Sequence, residues 1–113
     1  MVMENKTVIN MVATRCRPEI EEKFNKWYDE VHIPLLFKFK GMKEVTRYKI
    51  LKDTGEYPAY LAIYRFENRE DYGEYAASQE LVAGRKEMAE TWKNGGFDIE
   101  WRVQYEVMKT WKR

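Results

Sequence analysis

The sequence holds one cysteine and one histidine, and neither sign of charge is in excess: twenty Lys and Arg stand against nineteen Asp and Glu, for a net charge of +1. Cys16 alone cannot close an internal disulfide, and one His with one Cys cannot build a zinc site of the usual ligands within one subunit, so no metal is expected. Without a positive excess the chain has little with which to neutralise a row of phosphates or an anionic bilayer, and neither nucleic acid nor membrane is an expected partner. No apolar run approaches the roughly 18 residues that a membrane-spanning helix requires. The opening MVMENKTVINM also lacks a basic stretch running into a continuous apolar segment, the mark of a secretory signal, so a cytoplasmic location is expected.

What is present is a globular composition, 44% hydrophobic and 15% aromatic over 113 residues. That length predicts a single domain spanning residues 1–113, long enough to bury about two-thirds of its unfolded surface. Punctuation at Pro18, Gly41, Asp53 to Gly55, Asn68 and Gly95-Gly96 separates six elements. Residues 7–14 are β-branched and alternate, which predicts a strand. Pro18 and the acidic residues after it open a helix whose apolar stripe is Ile20, Phe24, Trp27 and Val31. Pro34 should kink or stop that helix around His32-Ile33. Residues 45–51 and 59–66 predict a hairpin. Asn68 and Ser78 are predicted helix caps, and in residues 97–108 the side chains Phe97, Ile99, Trp101, Val103, Tyr105 and Val107 alternate with polar ones.

Strand, helix, strand, strand, helix, strand is the ferredoxin-like βαββαβ order, an α+β fold with two main helices on one face of an antiparallel four-stranded sheet. The other sheet face is then uncovered. Apolar residues on both faces of three strands exceed what a monomer with one wet face needs, so a second copy of the chain is expected to cover it.

His32 is the first candidate for chemistry, because only an imidazole is expected to titrate near neutral pH without a large shift. Asp29, three residues before it, could orient the ring, and Tyr28 lies on the same side of the helix. A helix-end imidazole bonded to a carbonyl freed by Pro34 is the structural alternative, and spacing leaves both open. Tyr28, Tyr48, Tyr60, Tyr64 and Tyr72 could offer phenol donors to a ligand oxygen, or simply pack. Asn10, in a strand between apolar neighbours, needs a partner from a side chain, water or ligand. Arg47 and Arg65 are read as salt-bridged strand residues, and Trp27, Trp92 and Trp101 as core. No phosphate-cradling glycine loop, nucleophile elbow or spaced carboxylate pair is present.

Residues 24–50, FNKWYDEVHIPLLFKFKGMKEVTRYKI, resemble the EthD-type branch of the dimeric α/β-barrel superfamily, with Trp27, His32, Pro34, Gly41, Arg47 and Tyr48 in matching places. YPAYLAIYRFEN, residues 57–68, resembles the third strand and the start of helix two. The resemblance implies a homodimer whose sheets close into a barrel, with a pocket for a small apolar or aromatic ligand between the sheet's open face and helix one. Related folds house lactone isomerases, polyketide cyclases, cofactor-free oxygenases and haem proteins, and fold does not choose among them. His32 matches the proton-transfer histidine of muconolactone-type isomerases. The haem-binding histidine of the haem-degrading branch falls where this chain reads LVAGRKEMAE, so the resemblance implies no haem and no cofactor. Two functions remain: a cofactor-free isomerase, cyclase or oxygenase acting on a small cyclic or aromatic carbonyl compound with His32 as acid or base, or a non-catalytic ligand-binding or accessory protein of EthD type.

Overall fold

The computed structural model describes residues 2–4 and 6–113. Strand β1 (Val2–Glu4) precedes β2 (Val8–Cys16), and β3 (Met42–Lys49), β4 (Tyr60–Phe66) and β5 (Phe97–Glu106) complete an antiparallel sheet in the order β3-β4-β2-β5. One helical run follows β2 and a helix pair follows β4, so the ferredoxin-like arrangement read from the sequence is the observed one. Asn68 caps α3 (Arg69–Ala76) by accepting from the Asp71 N–H at 2.8 Å, and Ser78 caps α4 (Gln79–Thr91) by accepting from the Leu81 N–H at 3.1 Å. These helix labels follow α1 (Glu21–Trp27) and α2 (Ile33–Leu36) of the first run.

That first run corrects the expectation of a break before Pro34. It begins as a 3₁₀ turn at Pro18–Ile20, continues as α1, widens into one π-helical turn over Tyr28–His32, and carries on as α2. In the wide turn the Ile33 N–H reaches the Tyr28 carbonyl five residues back, and Pro34 then sits in the first turn of α2, where its missing N–H disturbs little. The added residue rotates the remainder of the run by about 100°. The buried stripe therefore passes from Phe24 and Trp27 to His32 and Leu36, and Val31, expected on it, is 40% exposed.

A bulge resets the last strand in the same way. Ala13 pairs with Trp101 but Thr14 pairs with Ile99, so Glu100 is an extra residue and the side chains on either side of it face opposite ways. Phe97 and Ile99 join the core beneath the helices, around the fully buried Phe24. Trp101, Val103 and Tyr105 lie on the outer face beside Ala13, Met11 and Ile9. The single-sided alternation expected for this strand is thus divided, and Trp101, expected in the core, is 42% exposed. On the helix side β5 places Arg102 next to Val12 and Gln104 next to Asn10.

Among the described residues no helix covers the outer face, where Leu61 and Ile63 of β4 also stand beside Ala13 and Met11. The chain exposes 8007 Å², against about 6,600 Å² for a compact monomer of its mass. Sequence patterning does not foresee a two-stranded ribbon in which β1 pairs antiparallel with β6 (Lys109–Trp111). Among the described residues no helix is long and apolar enough to cross a membrane.

Candidate functional site

Beneath the helices the sheet is incompletely filled. A cavity of about 90 Å³ lies there, open to solvent on one side. Its floor is Asn10, Val12 and Thr14 of β2 with Tyr64 of β4; the first helical run contributes Tyr28, His32 and Leu36; α3, α4 and β5 close the remaining sides. The resemblance placed the pocket between the sheet's open face and helix one; this cavity lies on the covered face, with the first helical run in its wall. Gly84 lies where α4 meets α2 at the cavity wall: a Cβ there would fall 2.5 Å from Leu36 Cδ2, so a larger residue would require the Leu36 side chain or the helix to shift.

His32 is 9% exposed, its ring stacked on Trp27 with centroids 4.7 Å apart and set edge-on to Tyr28 at 5.1 Å. Trp27 is held in turn, its indole N–H donating to Glu87 at 2.8 Å while the Thr91 hydroxyl donates to the other carboxylate oxygen. Nδ1 of His32 is buried without a hydrogen-bond partner among the described residues, so the helix-end contact with a freed carbonyl is not formed through it. Burial pushes the imidazole down to about 4, helped by the charge of Arg102 and opposed by that of Glu87. The ring is therefore neutral at physiological pH.

The hydroxyls of Tyr28 and Tyr64 lie 3.0 Å apart. Burial raises the Tyr28 phenol and pushes that of Tyr64 well above its ordinary value, so both stay protonated. Two phenols that share one hydrogen bond have one further O–H to give, and the cavity is where a ligand oxygen would receive it.

Five of the residues singled out from the sequence thus come together: His32, Tyr28, Tyr64, Tyr72 and Asn10. Asn10 has a side-chain partner, its Oδ1 accepting from Gln104 at 2.9 Å. Three others stand elsewhere. Asp29 does not orient His32; its carboxylate accepts from Arg47 at 2.9 Å and is 59% exposed, because the wide turn carries His32 inward past it. Tyr60 donates to Glu21 at 2.7 Å and accepts from Asn25 at 3.1 Å, outside the cavity lining. Tyr48 pairs in register with Leu61 on the outer face and is 49% exposed. Arg47 and Arg65 pair with Asp29 and Glu44 as expected of strand arginines, and Arg47 also lies 4.4 Å from the Tyr28 ring.

Sequence reasoning missed Thr14, Tyr75, Arg85 and Arg102, all in the cavity wall. For Arg85 a signal was available: it stands four residues after Leu81 and three before Met88, a charge on the apolar stripe of its helix. For Arg102 none was, since only the bulge turns it inward. Among the described residues no three His, Cys, Asp or Glu side chains converge as a metal site requires.

The family described as Domain of unknown function (DUF4286) matches residues 7–100. No curated protein matches the chain. Solved structures similar to it include an EthD family protein from Bacillus halodurans, with 16% identity over 89% of this chain and 99% of the other and a TM-score of 0.67. A dimeric protein of unknown function with a ferredoxin-like fold from Bacteroides fragilis shows 23% identity over 93% and 100%, with a TM-score of 0.65. A dabb family protein from Mesorhizobium loti, also ferredoxin-like, shows 10% identity over 92% and 97%, with a TM-score of 0.66. These likenesses carry the fold, in agreement with the EthD-like resemblance of residues 24–50.

Proposed function

We propose, from the premise that the chain belongs to the DUF4286 family, a domain of unknown function, that it binds a small cyclic or aromatic carbonyl compound in the cavity and exchanges a proton with it through His32. One observation carries the reading: the chain's only imidazole is neutral, with Nδ1 buried and unpartnered, in a cavity it shares with a phenol pair. A buried polar atom left without a partner costs about 1–3 kcal/mol, which a ligand hydrogen bond would offset. The phenol pair suits the ligand's carbonyl oxygen, and it would stabilise the negative charge that grows there when a proton leaves the neighbouring carbon.

The basicity of the imidazole restricts the substrate. A base near 4 is poorly matched to the C–H beside one ketone and better matched to an enol or to a carbon flanked by two carbonyls. Catalysis of this kind uses side chains of this chain alone. The same low basicity favours a second reading, a binding protein in which His32 only hydrogen-bonds its ligand. Exchange of the central C–H of 2-acetylcyclohexanone into D₂O, followed by NMR with wild type and His32→Ala, separates the two. Acceleration lost in the variant supports proton transfer; binding without acceleration supports the second reading, and no binding removes both.

The pairing of two copies through the outer sheet face belongs to this proposal. It is supported by the apolar set that β5 turns away from its own helices, by the surface in excess of a compact monomer, and by the Bacteroides fragilis neighbour described as dimeric.

A further inference from the structure

Five of the chain's eight arginines are held by carboxylates: Arg15 by Glu100, Arg17 by Glu19, Arg47 by Asp29, Arg65 by Glu44 and Arg69 by Glu106. Two of the other three, Arg85 and Arg102, line the same cavity, and no hydrogen bond or ion pair reaches either among the described residues. Among the described residues the cavity wall contains no Asp or Glu. With His32 neutral, it therefore carries two positive charges and no negative one.

The two guanidinium groups come from different elements, Arg85 from α4 and Arg102 from β5, and their fields overlap inside. The charge of Arg102 is felt at Tyr28, His32 and Tyr75, and that of Arg85 at Tyr75. Both are exposed, so they stand towards the mouth while Val12, Leu36 and Ile99 form an apolar interior. Two like charges facing one opening repel each other until an anion sits between them, and a guanidinium matches a carboxylate with paired N–H donors.

We propose that the ligand of this cavity is a small organic anion, an apolar body of about one ring bearing a carboxylate that Arg85 and Arg102 receive at the mouth. The size follows from the enclosed space, about 90 Å³ here, against roughly 150 Å³ for a protein cavity that takes a whole benzene molecule. The ring would fill the cavity and project partly into its open mouth, with its charged end outward. This rests on the reading of the cavity as a ligand site and adds the ligand's charge.

The test is a titration of the ¹⁵N-labelled protein with matched acid and amide pairs, benzoate with benzamide and cyclohexanecarboxylate with cyclohexanecarboxamide, with inorganic phosphate as a further probe. Wild type, Arg102→Gln and Arg85→Gln are compared after thermal unfolding has shown all three folded, as expected for substitutions at exposed positions. The acids are expected to bind at least about tenfold more tightly than their amides, the ratio falling towards one in either variant, because each lost contact is a hydrogen bond to a charged group. Acids and amides binding alike would overturn the charge assignment and leave the cavity reading intact, and an acid preference that survives both substitutions would overturn it too. Phosphate binding as tightly as the acids would overturn the organic part. Failure of all four organic probes to shift cavity residues would remove the cavity reading itself.

Discussion

Acid should destabilise this fold through one residue. His32 has a pKa of about 4 in the folded chain, against about 6.5 when unfolded. Between those values the unfolded state holds the extra proton, so stability rises with pH through the window and is lost as pH falls through it. From the two values, the loss relative to pH 7 is about 2.4 kcal/mol by pH 4.5 and tends to about 3.2 kcal/mol in stronger acid. Because His32 is 9% exposed, solvent screening removes little of this. Carboxylates titrate in the same range, so the quantity to measure is the difference between wild type and His32→Phe, which keeps a ring against Trp27 and cannot be protonated. Urea unfolding at pH 7 and pH 4.5 should give wild type a pH-dependent loss about 2–3 kcal/mol larger than that of the variant. A single histidine also gives a single imidazole signal, whose NMR titration reads the pKa directly. A midpoint near 6.5, or equal pH dependence in the two proteins, would refute the burial argument.

The same geometry sets three other outcomes. Trp101→Glu, which places a charge on the outer face, should convert the proposed dimer to monomer in equilibrium sedimentation at micromolar concentration; a wild type that is already a stable monomer would count against the pairing. Tyr64→Phe removes one member of the buried phenol pair and should cost about 1 kcal/mol in urea unfolding while weakening the binding of carbonyl ligands. Gly84→Ala should cost about 1–3 kcal/mol, because its Cβ meets Leu36 at the contact between α4 and α2; a neutral result would mean that the two helices can move apart.

Local rules carried the element order and both helix caps, and they marked apolar residues on the outer sheet face, because hydrophobic period and capping chemistry act over a few residues. What they missed arises from one-residue insertions. The wide turn at Tyr28–His32 and the bulge at Glu100 each add a residue to a regular repeat. The first exchanges Val31 for His32 on the buried side; the second sends Trp101 outward and Arg102 inward. Neither insertion has a sequence signature as strong as the period it interrupts, although Pro34 marked the neighbourhood of the first. The site was legible to the extent that residue chemistry is: a lone histidine and interior tyrosines stand out wherever they fall. Asp29 failed because helical spacing assumed an unbroken α-helix, and Tyr48 and Tyr60 because hydroxyl groups on neighbouring strands can reach either face or find carboxylate partners of their own.

A crystal of the protein soaked separately with 2-acetylcyclohexanone and with benzoate would test the central claim most directly. The expected result is density for a ring in the cavity, an oxygen of the diketone within hydrogen-bond distance of the Tyr28–Tyr64 pair, and a polar ligand atom facing Nδ1 of His32. Density for either compound on the outer sheet face, with the cavity unfilled and Nδ1 still without a partner, would contradict it.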